Sequence, residues 1–190
     1  MVCEYFKNEA EAAVELEKLE DVRVLTFSAT CKHPHIGSDF LAQIVHDSKK
    51  RCERIYLLGG PCLTKPTDLP ERFKHTCLYT IGKCFHMFTN KNYVDKCIRE
   101  GAYIIPSGLV KHCKSYIKSM GFEQDVAREF FRESCTKVVM LDTGLHDNSM
   151  ENLNKFAEFI DLPFRKVPVE LDFFCNFLRK LVMEWRLKNE

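Results

Sequence analysis

Thiols and imidazoles recur in this chain at points where proline and glycine turn the backbone, and that donor set serves soft metal ions and thiolate nucleophiles alike. The positions are Cys31, His33 and His35 around Pro34; Gly59, Gly60 and Cys62 around Pro61; and Gly82, Cys84 and His86. Further along come Ser107 and Gly108 after Pro106, then Asp142, Thr143, Gly144 and His146. A centre built from Cys31, Cys62 and Cys84 would carry three thiolates. It suits an iron–sulfur cluster with one open iron, or a zinc ion completed by His33, His35 or water. Without a metal, Cys62 or Cys84 would serve as a nucleophile, activated by a helix N-terminus or a neighbouring histidine. The spacing is not itself a motif, because the dense Cys-x-x-Cys runs of ferredoxins and zinc ribbons are absent. Cysteine is also among the most buried residue types, so chance placement competes with function.

Gly59, Gly60, Ser107 and Asp142 form the cofactor-binding part of the same expectation. Asp142 has three uses open to it: general base, ligand-orienting group, or an Asx-turn that closes a strand, the commonest use of Asp in such a place. Gly59-Gly60 is no dinucleotide fingerprint, since no Gly-x-Gly-x-x-Gly follows either of the first two strands, and no Walker motif occurs.

These residues need elements to position them. Short β-rich runs alternate with amphipathic ones throughout, the mark of βα units around a parallel sheet. Helices are expected over about 8–19, 38–52, 90–99, 109–120, 124–133, 149–160 and 171–187, with strands over about 22–27, 54–58, 76–81, 102–105, 137–141 and 164–167. The fold class is α/β: a Rossmann-like three-layer sandwich, one mostly parallel sheet of about five to six strands flanked by helices. Residues 1–190 read as a single domain, with 1–20 an N-terminal helical segment. Ligands of such sheets bind beyond the carboxyl ends of the strands, and the residues named above fall there.

Composition excludes several classes. The chain has 190 residues, with 28 Lys and Arg against 27 Asp and Glu, so no basic field exists to draw it onto nucleic acid. At this length about 70% of the unfolded surface can be buried, enough for a core without staples. No apolar run approaches the roughly 18 residues of a spanning helix, so membrane insertion is not expected. The opening residues carry no basic-then-apolar leader, so a cytoplasmic location is expected and the ten cysteines are expected as free thiols. Cys3, Cys52, Cys77, Cys97, Cys113, Cys135 and Cys175 fall away from the turns and read as structural.

A family resemblance joins the separate signals. The segments Leu57-Leu58-Gly59-Gly60-Pro61-Cys62, Cys84 before a Phe-rich turn, Gly101-Ala102-Tyr103-Ile104-Ile105-Pro106-Ser107-Gly108, Leu141-Asp142-Thr143-Gly144 and Leu162-Pro163-Phe164 occur in this order. Over about Val22 to Leu181 the chain resembles the bacterial and archaeal family called domain of unknown function 1638. Cys62, Cys84, Pro106 and Asp142 occupy the matching places. The resemblance implies a Rossmann-like fold, marks Cys62 and Cys84 as a functional pair, and implies an association with corrinoid and methyl-transfer metabolism in anaerobes. A corrinoid protein or a methyltransferase is the partner it implies, and the corrinoid would be that partner's. The chain departs from the pattern where Gly82-Lys83 replaces a His-Asp, and where Leu63 and Thr64 replace glycines after the first cysteine.

The expectation is therefore a cytoplasmic metal-site protein, holding an iron–sulfur cluster by strand-end cysteines, as an accessory or redox component of anaerobic one-carbon metabolism. A metal-free cysteine-nucleophile enzyme and a non-catalytic module docking on a larger complex are the alternatives.

Overall fold

A computed structural model describes residues 1–29, 54–60, 76–80 and 82–187. Within these residues the elements run in the order β1 (Val2–Cys3), a 3-10 turn (Glu4–Phe6), α1 (Lys7–Leu16), β2 (Thr26–Phe27), β3 (Ile55–Gly59) and β4 (Thr76–Thr80). A second 3-10 turn (Cys84–Met87) leads to α2 (Lys91–Arg99), β5 (Ala102–Pro106), α3 (Ser107–Ser119) and α4 (Gln124–Ser134). The chain continues through β6 (Lys137–Asp142), α5 (Ser149–Ile160), β7 (Phe164–Pro168) and α6 (Asp172–Arg186). The helix expected over 38–52 and the loop expected over 62–74 lie outside the described residues.

Every strand pairing is parallel, as the alternation of elements requires. β1 pairs with β2, β3 with β4, and β5, β6 and β7 form a three-stranded sheet in that order. The expectation of an α/β chain with parallel strands therefore holds; a single sheet of five to six strands is not what the described residues form, since their pairing falls into three groups. Two of these are joined through the chain's first residue. The Met1 ammonium donates to the Tyr56 carbonyl at 2.6 Å, Leu58 N–H donates to the Met1 carbonyl at 2.9 Å, and Val2 N–H donates to the Leu25 carbonyl at 2.9 Å. β1 thus lies between β2 and β3.

Residues 1–20 are not only helical, because Val2–Cys3 enters the sheet. The strand expected over 22–27 shortens to Thr26–Phe27, since strand pairing needs a partner and β1 supplies two residues. A two-residue strand has no period to detect, which is why sequence pattern passes over Val2–Cys3.

The three-stranded sheet shows why its strands read as unbroken apolar runs. Along β6, Val138 and Met140 face one core with Ile105, Phe131, Leu153, Phe156 and Ile160. Val139 and Leu141 face the opposite core with Ile104, Val94 and Cys97. Helices α3, α4 and α5 cover the first face and α2 the second, so both faces are dry and each side chain so buried contributes about 1.5–3 kcal/mol. A third core joins Phe6, Ala10, Leu57, Met87, Phe88 and Phe174, which seats α1 and α6 beside β1 and β3.

The N-terminal segment also touches the start of α3. A Cβ built on Gly108 would lie 2.0 Å from the Tyr5 carbonyl oxygen and 3.0 Å from the His146 ring. Backbone cannot retreat from such a contact as a flexible side chain would, so glycine is required there by proximity. Gly108→Ala should destabilise the fold by about 1–3 kcal/mol or more, read as a lower urea midpoint with the far-ultraviolet spectrum retained.

Candidate functional site

At the carboxyl ends of β5 and β6 the register sets Pro106 beside Leu141, so the residues that follow each strand become neighbours. Ser107, the first residue of α3, is buried, and its Oγ lies 3.5 Å from Thr143 Oγ1. Asp142, the last residue of β6, is also buried. Its Oδ1 accepts the Gly144 N–H at 3.2 Å, the Asx-turn that sequence reasoning favoured, while Oδ2 lies 3.1 Å from Lys166 Nζ on β7. Asp142 therefore closes its strand and anchors a lysine at the same edge.

Behind this turn sits a carboxyl group that the sequence reading did not select. Glu9, on α1, is 1% exposed. Its Oε1 accepts the Thr143 hydroxyl at 2.9 Å and lies 2.8 Å from His146 Nε2, while Oε2 is buried with no hydrogen-bond partner among the described residues. Burying a carboxyl with an unsatisfied oxygen is costly, and such groups concentrate where geometry is set for function. The signal was present in helical phase: Glu9 stands three residues after Phe6 and four before Ala13, on the apolar stripe of α1.

A cleft of about 640 Å³ opens where β6 and β7 end. Asp142, Thr143, Gly144 and Lys166 form one wall, Phe88, Thr89 and Asn90 another, and Pro168, Val169, Glu170, Asp172 and Phe173 the rim. Asn90 is held by its own cap, its side-chain oxygen accepting the Asn92 N–H at 2.8 Å. Asp142 lines this cleft, and Ser107 meets the same turn through Thr143. Gly59 and Gly60 are buried at the end of β3, which pairs with β4 rather than with this sheet.

Of the expected metal ligands, Cys31, Cys62, His33 and His35 lie outside the described residues. Cys84 is half-buried at the start of the second 3-10 turn, against the core that holds Met87 and Phe88. Among the described residues no group of three His, Cys, Asp or Glu side chains is arranged to hold a metal ion. Cys3, Cys97, Cys113 and Cys175 are buried, as their reading as structural residues requires, and burial raises the thiols of Cys135 and Cys175 above their ordinary range. Those two are poor nucleophiles.

His86 follows Cys84 in the same turn. Its Nδ1 accepts the Lys83 N–H at 3.2 Å, so the neutral ring carries its proton on Nε2. That nitrogen is buried without a hydrogen-bond partner among the described residues. In this arrangement His86 is a donor rather than a metal ligand.

The chain matches the family described as protein of unknown function (DUF1638) over residues 38–178, about three quarters of its length. It belongs to that family. No curated protein and no solved structure matches it. The matched region takes in Cys62, Cys84, Ser107 and Asp142, and begins beyond Glu9, Cys31, His33 and His35. No helix among the described residues is long and apolar enough to cross a membrane.

Two histidines give this part of the molecule a pH signature. Burial is the main cause that lowers the His86 imidazole below its ordinary value of 6.5, with Asp95 opposing and Lys83 adding; at His112 burial again leads, with Lys111 adding and Glu4 opposing. A lowered folded value means that the unfolded chain takes up these protons first. Stability should be complete above about pH 6.5 and fall as the pH drops from there through the lowered folded values. Urea midpoints at about pH 7.5 and about pH 5.5 should differ in that direction, and the difference should shrink in a His86→Asn, His112→Asn double variant.

Proposed function

We propose that the protein carries a thiolate metal centre, an iron–sulfur cluster, at the carboxyl edge of its β2, β1, β3, β4 strands, in a Rossmann-like arrangement of parallel strands flanked by helices. One observation carries the reading. β3 and β4 pair in parallel with Gly59 opposite Thr80, so the chain leaves both strands at one edge; Cys62 follows three residues beyond Gly59 and Cys84 four beyond Thr80. Cys31 follows four residues beyond Phe27, the last residue of β2, which joins the same parallel set through β1. Neighbouring strands run about 4.8 Å apart and four extended residues reach about 13 Å, so thiolates leaving these strands are within reach of one centre.

Family membership supports Cys62 and Cys84 more than Cys31, because the matched region includes the first two alone. A cluster with one iron free of thiolate would supply electron transfer or an open coordination position. The chain's own part is to deliver deprotonated sulfur and to exclude water. His86 stands two residues after Cys84 in the same 3-10 turn, and the Lys83 contact to its Nδ1 leaves Nε2–H a donor rather than a fourth ligand. An accessory or redox role beside a corrinoid or methyltransferase protein rests on the family resemblance.

Protein purified without oxygen should carry several irons per chain and the brown visible absorption of thiolate-bound iron. Cys62→Ser and Cys84→Ser should each lose colour and iron, whereas Cys175→Ser should keep both. Iron retained by Cys62→Ser would sink the proposal.

A further inference from the structure

A mainly apolar cavity of about 380 Å³ opens at the amino ends of β1, β2 and β3, where Met1, Leu25 and Arg54, the residues just before those strands, line it. This end of the strands is remote from the proposed thiolate centre, and the cavity does not depend on that reading. Its inner lining belongs to the core that seats α1 and α6, where Leu58, Phe174 and Leu181 are buried. Protein interiors leave few voids larger than a water molecule, so a space of this size against core side chains is not ordinary packing. It is about two and a half times the apolar cavity that accepts a benzene ring, room for a body of on the order of ten carbons.

The charged groups of the lining are unevenly paired. Asp21 is the one acid among the described lining residues, and Arg186 Nη2 already holds it at 2.7 Å. Arg23 and Arg54 are the cations of the lining, and neither makes an ion pair among the described residues. Arg54 Nε is moreover buried without a hydrogen-bond partner there. A guanidinium is a planar fork that matches a carboxylate through parallel N–H groups, and a buried donor left unmet costs free energy until an acceptor reaches it. We infer that this cavity binds a carboxylate with an aliphatic tail, its head at Arg54 and Arg23 and its tail against Leu58, Phe174 and Leu181. Aliphatic side chains make up most of the lining, so the tail gains by burial wherever it lies. An ammonium on the same tail would meet two unpaired arginines and an acid that is already taken, and an alcohol would leave the guanidinium without a charged partner.

Trp185, the single tryptophan of the chain, lines the cavity and supplies the signal. The full-length protein is titrated with hexanoate, octanoate, decanoate, decylamine and decanol, and binding is followed by Trp185 fluorescence and by heat. Decanoate should saturate at one per chain and bind about tenfold or more tightly than decylamine. Each methylene added from hexanoate to decanoate should tighten binding about fourfold. Arg54→Met, which keeps an apolar stem and removes the guanidinium, should weaken decanoate about tenfold and leave decanol unchanged. Decylamine binding as well as decanoate would overturn the assignment, as would an affinity that ignores tail length. A signal that grows without saturating, or an unchanged decanoate affinity in Arg54→Met, would overturn it too. The comparison of decanoate with decylamine uses the unaltered protein, so a variant that fails to fold leaves the test in place.

Discussion

The first ten residues hold the molecule's parts in register, and the constraint that does so is close backbone approach. Met1 and Val2 complete hydrogen bonds to the strands on either side, Phe6 enters the core, and the Tyr5 carbonyl rests against Gly108 at the start of α3. Three residues beyond Phe6, Glu9 reaches the turn after β6. Remove this segment and β1 leaves the gap between β2 and β3, while the Asp142-Thr143-Gly144 turn loses the carboxyl that orients it. The segment is short, but its contacts to Gly108, Thr143 and His146 are to elements more than a hundred residues away, so their formation carries a loop-closure cost that only the complete fold can offset.

The elements were largely legible because each obeys local physics. Phe164 to Val167, Lys137 to Leu141 and Ser149 to Ile160 read from pattern to within a residue or two of their observed limits, since apolar periodicity and the Gly121 and Asn90 boundaries act within one turn of chain. Sheet membership was less legible. Whether parallel strands join into one sheet depends on packing between segments far apart in sequence, and nothing in Ile55–Gly59 states that its neighbour on one side is Met1.

The candidate site divides along the same line. Ser107 and Asp142 were legible because a strand end followed by a turn is a local event, and adjacency of β5 and β6 then joined them. Glu9 was hidden by its helix, where it stands among Glu11 and Glu15 and differs from them only in facing inward. Charge alone reads as solvated surface; phase against Phe6, Ala10 and Ala13 is what separates it. Lys166 was hidden for the opposite reason, because an exposed strand lysine looks like solubility chemistry until its partner is known.

That lysine has a second consequence. β7 pairs with β6 alone among the described strands, and its residues are mostly exposed, so one side of its backbone is a template for another chain. Arg165 and Lys166 in mid-strand and Pro168 at its end are the residues that discourage such pairing, by charge repulsion between copies and by the missing N–H. The side chain that neutralises Asp142 at the cleft is therefore also a guard against self-association. A substitution chosen to open the cleft by removing Lys166 would weaken both at once, so colloidal behaviour and the charge of the cleft are tied together in this strand.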